Sequence, residues 1–449
     1  MPNYVIRLSE NGLTQKPILD NLSSLIIDGK CVIVLSSPKH LLESIHTAAQ
    51  ILTDSRTDCD SIVTAIKSDI ADLIKSYGFA TNPAIETLVQ RLEILLKGIN
   101  YTGSLSPMIH DQILSYADKI SAFVFSEYLR INNINNQYIT PEELGLIVSE
   151  EYGNATILLA QSQQKLNTSI LSNINVVPGS HGISLSGKTV RIGFQAADYT
   201  ASALATLLQT DNLELWNINT PFKTADSKII ADVEFVNELS YAEASELAYF
   251  NSCASIHPRI VDPLLENNIP IKVYQLTSDG KKLMTTISSQ ENISPEVVKS
   301  VAHSDDIALL KLYGPGVGFK SGILAKVTTA LHQNNVNIRS VITAQTSINF
   351  IIERQYIKAV KRIISDLDLL SICKFEIEDC VSLLAIIGHG MQSKHGVSSN
   401  LFAAMSDLEI NVLLSGSGAS DLVSYIVVKE SDSEKAITEI HKTFFKSNI

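Results

Sequence analysis

Short apolar runs bounded by polar residues open the chain. Val5-Ile6-Arg7-Leu8 and Cys31-Val32-Ile33-Val34-Leu35 read as strands, the second as a buried one. Pro17-Ile18-Leu19-Asp20-Asn21-Leu22 between them predicts a helix. Strand–helix–strand in under about 40 residues predicts a parallel sheet. From residue 40 to 130 the apolar period becomes helical. Ile85, Leu88, Val89, Leu92, Leu95 and Leu96 form one stripe, and Gln112 to Leu129 predicts a further helix with Ile113, Leu114, Ile120 and Phe123 inward. Strand patterns return in Thr156-Ile157-Leu158-Leu159, Asn175-Val176-Val177, Val190-Arg191-Ile192 and Leu213-Glu214-Leu215-Trp216. Asp198 to Leu208 and Ser240 to Tyr249 predict helices, and Ile269 to Tyr274 a late strand. The polar stretch that follows predicts a linker over 281–305.

Beyond it, one plan is used twice. Gly322-Ile323-Leu324-Ala325-Lys326-Val327 leads to Val336-Asn337-Ile338, and 74 residues on, Gly396-Val397-Ser398-Ser399-Asn400-Leu401 leads to Ile410-Asn411-Val412. Ile323 corresponds to Val397, Val327 to Leu401, Ala330 to Ala404 and Leu331 to Met405. The repeat predicts two strand–loop–helix–strand modules of a kind that binds metabolites.

Composition narrows the function. Hydrophobic residues make up 45% of the 449 and charged residues 18%, which supports a large core. A net charge of −12, with no cluster of Lys and Arg, argues against a nucleic-acid surface. Cys31, Cys59, Cys253, Cys373 and Cys380 are scattered without Cys-x-x-Cys spacing, so zinc is not expected. The N-terminus lacks the apolar core of a signal peptide, and no apolar run approaches the roughly 20 residues of a membrane span. The chain is expected to be soluble and cytoplasmic.

Several motifs then converge. Ser240-Tyr241-Ala242-Glu243-Ala244-Ser245-Glu246-Leu247-Ala248-Tyr249-Phe250, Ile256-His257-Pro258-Arg259, Asn267-Asn268-Ile269-Pro270-Ile271, Asp198-Tyr199-Thr200-Ala201 and the pair Gly179 and Gly182 resemble the aspartokinases over nearly the full length. The resemblance implies an α/β amino-acid-kinase sandwich followed by two ferredoxin-like ACT domains, divided as 1–280, 281–305 (linker), 306–375 and 376–449. Members of that family transfer the γ-phosphoryl of ATP to the side-chain carboxylate of aspartate in lysine, threonine and methionine biosynthesis. Carried over residue by residue, Arg7 and Asp198 would be catalytic. Ser36, Asp118 and Gly193 would meet the substrate, and Asn217, Lys223, Asp226 and Lys228 the nucleotide. Mg-ATP would be the cofactor of an active enzyme. His257 reads as a turn residue.

The departures lie where phosphoryl transfer is done. The family's Lys-Phe-Gly-Gly-Thr-Ser becomes Arg7-Leu8-Ser9-Glu10-Asn11-Gly12, and a planar guanidinium does not replace a compact ammonium. Its Gly-Arg-Gly-Gly-Ser-Asp becomes Gly193-Phe194-Gln195-Ala196-Ala197-Asp198, which loses the arginine that would clamp a carboxylate. The nucleotide segment has Ile218 for the family's first acid and Lys223 for its tyrosine. The lysine expected before the His-Pro turn falls at Ala254 or Cys253. The family's Ser-His-Gly-Glu aligns with Ser115-Tyr116-Ala117-Asp118, so Asp118 would hold an amino group from one methylene farther back. Loss of one preorganised donor costs roughly 10²–10³ in rate, and several are replaced together.

In the first ACT module, Gly314-Pro315-Gly316-Val317-Gly318-Phe319-Lys320-Ser321-Gly322 is a glycine-rich loop entering a helix, suited to a carboxylate. With the next strand it predicts an effector pocket of Gly318, Ser321, Gly322, Asn337, Ile338, Thr343 and Gln345. Lysine-sensing relatives carry an acid where Arg339 stands, so a neutral side chain such as threonine's fits better. The resemblance implies that the second module, with Gly388-His389-Gly390-Met391 and Asn411, serves pairing into a homodimer. Two functions follow. One is a diverged aspartokinase of impaired activity. The other is a non-catalytic paralogue that binds an amino acid and regulates an active aspartokinase partner.

Overall fold

The computed structural model describes residues 2–9, 16–26, 30–54, 56–193, 196–217, 222–250, 256–291, 297–318, 320–367, 372–418 and 420–445. The chain divides into two compact units. One comprises Met1–Pro221, Asn237–Ser245 and Ile256–Gln290, the other Phe222–Val236, Glu246–Ser255 and Glu291–Ile449.

In the first unit, β1 (Tyr4–Leu8), α1 (Lys16–Ile26) and β2 (Cys31–Leu35) form the expected parallel start. Four helices follow, α2 (Lys39–Ile51), α3 (Cys59–Ser76), α4 (Pro83–Thr102) and α5 (Pro107–Ile131). After them come β3 (Gln137–Tyr138), α6 (Pro141–Leu144), β4 (Ile147–Val148), α7 (Leu159–Lys165), β5 (Ile174–Pro178), β6 (His181–Ser184) and β7 (Thr189–Arg191). The unit closes with α8 (Ala197–Leu207), β8 (Asn212–Asn217), β9 (Glu238–Ser240), β10 (Ile271–Thr277) and β11 (Gly280–Ser288); α9 (Tyr241–Phe250) is divided between the units.

The main sheet runs β3-β5-β2-β1-β8-β10-β11-β9. All its neighbours pair in parallel except β10 with β11. A small sheet, β4-β6-β7, lies beside it. Strands β2 and β5 are buried at every position, which explains the unbroken apolar run of β2. Helices α2 to α5 bury Ile45, Ile70, Leu92 and Phe125 in one core with Ile6 and Ile33 of the sheet. Asn82 caps α4 and Ser106 caps α5 through side-chain oxygens, each with Pro at the first helical position.

Two expectations fail here. Thr156 to Leu159 is no strand: Ile157 makes a single bridge to Val148, and Leu159 already opens α7. The stretch 281–305 carries strand at both ends. Polar β11 survives as a strand because it pairs with β10 from Gly280 to Ile287, with one register shift, and β12 begins at Ser300.

The second unit holds one antiparallel sheet, β13-β14-β12-β15-β17-β16. Its members are β12 (Ser300–Tyr313), α10 (Ile323–Gln333), β13 (Ile338–Ala344), β14 (Ser347–Glu353), α11 (Ile357–Asp366), β15 (Lys374–Ile387), α12 (Val397–Asp407), β16 (Leu414–Gly416), β17 (Val423–Lys429) and α13 (Ser433–Phe445). Strands β12 and β15 are each 14 residues long and pair with each other, so both repeated modules share them. One core joins Leu310, Phe350, Val327 and Leu331 with Val360. The other joins Leu384, Ile426, Leu401 and Met405 with Ile437, and it takes in Ala225 and Ile230 from the 222–236 segment.

Candidate functional site

Open parallel sheets bind ligands outside the carboxyl ends of their strands, where the strand order reverses. Here the order runs outward from β1 in both directions, through β2 on one side and β8 on the other. Arg7 near the end of β1, Ser36 and Ser37 after β2, and Asn217 ending β8 lie at that edge.

Arg7 is 8% exposed. Its Nε stands 2.8 Å from Asp198 Oδ1, its Nη2 donates to Ser36 Oγ at 3.3 Å, and its Nη1 donates to the Leu8 carbonyl. Asp198 lies in the first turn of α8, where an acid suits the unpaired N–H groups. Its Oδ2 accepts the backbone N–H of His257 at 2.8 Å. The structure therefore brings Arg7, Ser36 and Asp198 together.

His257 behaves as the turn residue expected. Its Nδ1 accepts the Arg259 backbone N–H at 3.2 Å and caps the short turn Pro258–Ile260. Its ring stacks on Tyr199 with centroids 5.9 Å apart, and the Arg259 guanidinium lies 4.4 Å over the Tyr199 ring. Burial pushes the imidazole below its ordinary value, the Asp198 carboxylate draws it back up, and the Arg259 charge lowers it again.

Asp118 meets a residue that the motifs do not point to. Arg191 Nη1 donates to its Oδ2 at 3.0 Å, and the Ser37 backbone N–H donates to its Oδ1 at 2.9 Å. Arg191 closes the short strand β7. In sequence it was one polar residue in an apolar run, with nothing to name its partner 73 residues away. Gly193 follows with φ of 143°, a conformation that suits glycine. Asp111, also on α5, accepts the backbone N–H groups of Gly153 and Arg191, both at 2.8 Å. Burial raises its carboxyl above the usual carboxylate value although those two donors and the Arg191 charge pull it down.

Lys223, Asp226 and Lys228 belong to the second unit. Lys223 Nζ donates to Ser227 Oγ at 3.1 Å, Asp226 Oδ1 accepts the Lys228 backbone N–H at 2.9 Å, and Lys228 is exposed. Glu10, Asn11, Gly12, Phe194, Gln195, Ile218, Cys253, Ala254 and Phe319 lie outside the described residues, as does the side chain of Asn217. Among the described residues no group of three or more His, Cys, Asp or Glu is placed to hold a metal ion.

In the second unit the glycine-rich loop is tied to the β13–β14 turn. Gly314 N donates to Thr346 O and Gly318 N to Gln345 O, both at 3.1 Å. A Cβ on Gly318 would stand 2.1 Å from the Ala344 carbonyl oxygen, so only glycine fits. Gly318, Ser321, Gly322, Thr343 and Gln345 are exposed together at this end. Asn337 and Ile338 stand at the other end of β13, roughly 20 Å away at strand rise. Within one chain they do not join the loop. Arg339 is engaged: Nη1 donates to Ser304 Oγ at 3.0 Å, and Nη2 lies 3.9 Å from Glu353.

Residues 6–275 match the amino acid kinase family, and the chain belongs to that family. Residues 302–366 and 384–444 each match an ACT domain, and this domain order matches the aspartokinases. The bifunctional aspartokinase/homoserine dehydrogenase of Buchnera aphidicola is 25% identical over 374 residues, covering 80% of this chain and 46% of that protein. The chain thus spans about half the length of this bifunctional relative. Lysine-sensitive aspartokinase 3 of Escherichia coli is 22% identical over 370 residues, 81% of each chain. The crystal structure of E. coli aspartokinase III with aspartate and ADP has a TM-score of 0.82 at 19% identity, over 98% of this chain and 99% of that one. Clostridium acetobutylicum aspartate kinase scores 0.78 at 19% identity, over 98% and 100%. The fold is an amino-acid-kinase sandwich followed by two ACT domains. No helix among the described residues is long and apolar enough to cross a membrane.

Proposed function

We propose that this chain is an aspartokinase-family protein with little or no phosphotransfer, acting as an amino-acid-binding regulator through its ACT domains. The observation that carries the reading is the start of α8. Ala196 stands where relatives place a glycine and Ala197 where they place a serine, and both are fully buried. Gly179 is packed so closely on this turn that an added Cβ would lie 2.6 Å from Ala197 Cβ. A phosphate needs exposed N–H groups and space at such a turn. The Arg7 cation is already held by Asp198, Ser36 and the Leu8 carbonyl. The described residues of this unit do not fit a Mg-ATP cradle.

The ligand of the ACT domains is proposed to be an α-amino acid. E. coli aspartokinase III has been solved with lysine and aspartate. Arg339 makes a lysine ammonium a poor fit, and a neutral side chain such as threonine's is preferred. The chain would pair as a homodimer in the cytoplasm. Edge strand β13, pairing antiparallel with a second copy, would set the start of the strand in one copy beside its end in the other. That would reunite the two halves of the expected effector pocket. An active aspartokinase is the partner such a regulator would serve.

Turnover decides the matter. With Mg-ATP, L-aspartate and hydroxylamine as trap, aspartyl hydroxamate should stay at the level of a blank. Robust hydroxamate would defeat the reading and restore the runner-up, a diverged but working aspartokinase.

A further inference from the structure

Asp118 is 1% exposed, and a carboxylate that deep needs a cation and N–H donors. The chain supplies both. Ser37 N holds Oδ1 and Arg191 Nη1 holds Oδ2. Arg191 is fixed in turn: its Nη1 also donates to the Leu114 carbonyl at 3.0 Å, and its backbone N–H is held by Asp111. The two charged side chains are 5% and 1% exposed. All these residues lie in the kinase unit, and Ser37 follows the carboxyl end of β2.

A carboxylate buried at that edge suits a small cationic group, and a cation from β7 already pairs with it. We propose that Arg191 is an internal occupant of an ammonium-binding subsite. Its guanidinium takes the place of a ligand's α-ammonium on Asp118, so the kinase unit holds no α-amino acid while Arg191 is present. An incoming ammonium would need the carboxylate oxygens at about 2.7–2.9 Å, where the Arg191 guanidinium already stands and its like charge repels a second cation. Removing the guanidinium leaves Asp118 uncompensated beside a gap of suitable size. This deepens the reading of a silent kinase and rests on it: the acceptor's amino group, as well as the phosphates, has lost its place.

The test is a calorimetric titration of the full chain, wild type against Arg191→Ser, with L-aspartate and with succinate. These two dicarboxylates differ by the ammonium alone. Arg191→Ser should bind L-aspartate at least about tenfold more tightly than wild type, the low end for a charge-assisted hydrogen bond, with succinate unchanged. Adding Asp118→Asn should abolish the gain. A gain for both ligands, for neither, or one that survives Asp118→Asn overturns the proposal. Binding at the ACT domains is common to all variants and cancels. Because Arg191→Ser strips a buried carboxylate of its cation, Arg191→Gln, which keeps a donor toward Asp118, is titrated beside it and should gain less in the same direction. The wild-type chain gives a reading that needs no variant: the NMR signals of the Arg191 guanidinium should not move when L-aspartate is added. Displacement of those signals overturns the proposal. Hydroxamate from the wild type would sink the silent-kinase reading and this one together, whereas a silent chain whose Arg191→Ser variant gains nothing sinks this one alone.

Discussion

At the scale of single residues, the kinase unit is held at its ligand edge by charges that satisfy each other. Asp198 serves Arg7 and the backbone of His257 at once, and both its partners are buried or half-buried. Asp198→Ala strands a buried guanidinium and should lower the unfolding free energy of this unit by about 3–5 kcal/mol, read from urea unfolding of full-length protein. His257 makes a separate pH prediction. Its folded value lies below its ordinary 6.5, so the folded state prefers the neutral ring. The stability it lends is complete above the unfolded value and is lost as pH falls through the depressed folded one. The urea midpoint should therefore drop below about pH 6.5, and His257→Gln should flatten that drop; an unchanged slope would refute the assignment. Arg7 and Asp198 were legible because motifs name them. Arg191 was not, since a charge in a short apolar strand does not say which distant helix carries its counter-ion.

At the scale of elements, periodicity was the reliable guide. The repeated helices α10 and α12 bury their matched positions, Ile323 with Val397 and Leu331 with Met405, and each begins after a glycine with φ near 90°, 87° at Gly322 and 89° at Gly396. Leu331→Ala should cost about 2–5 kcal/mol in the ACT unit, followed by thermal unfolding. Gly318→Ala acts differently. Its new methyl would press the loop away from Ala344 and Gln345, so effector affinity measured by calorimetry should fall well before the fold is lost. What the pattern missed were elements decided by partners. Thr156 to Leu159 has strand-like residues but only one bridge to pair with, and β11 has polar residues yet forms because β10 offers it an edge.

At the scale of the whole molecule, contacts regroup segments that sequence order keeps apart. The 222–236 segment precedes the last strands of the kinase unit in the chain, yet Ala225 and Ile230 sit in the core of the C-terminal module and Thr224 Oγ1 lies 2.9 Å from His441 Nε2. Nothing in the segment itself announces such a crossing, because its partners lie elsewhere in the chain, His441 being 217 positions from Thr224. Ile230→Ala should therefore speed hydrogen exchange in α12 and α13 and leave β1 and β2 as they were; the reverse pattern would place the segment elsewhere. The kinase-plus-ACT architecture, read from scattered motifs, holds over nearly the full chain. On the proposed reading the kinase pocket takes up no substrates, while the ACT unit binds an amino acid. Thermal melting tests it most directly, since any ligand that binds the native state raises the midpoint. Threonine or another single amino acid should raise it, and Mg-ATP with L-aspartate should add nothing beyond aspartate alone. A further rise that requires both substrates together would contradict the account.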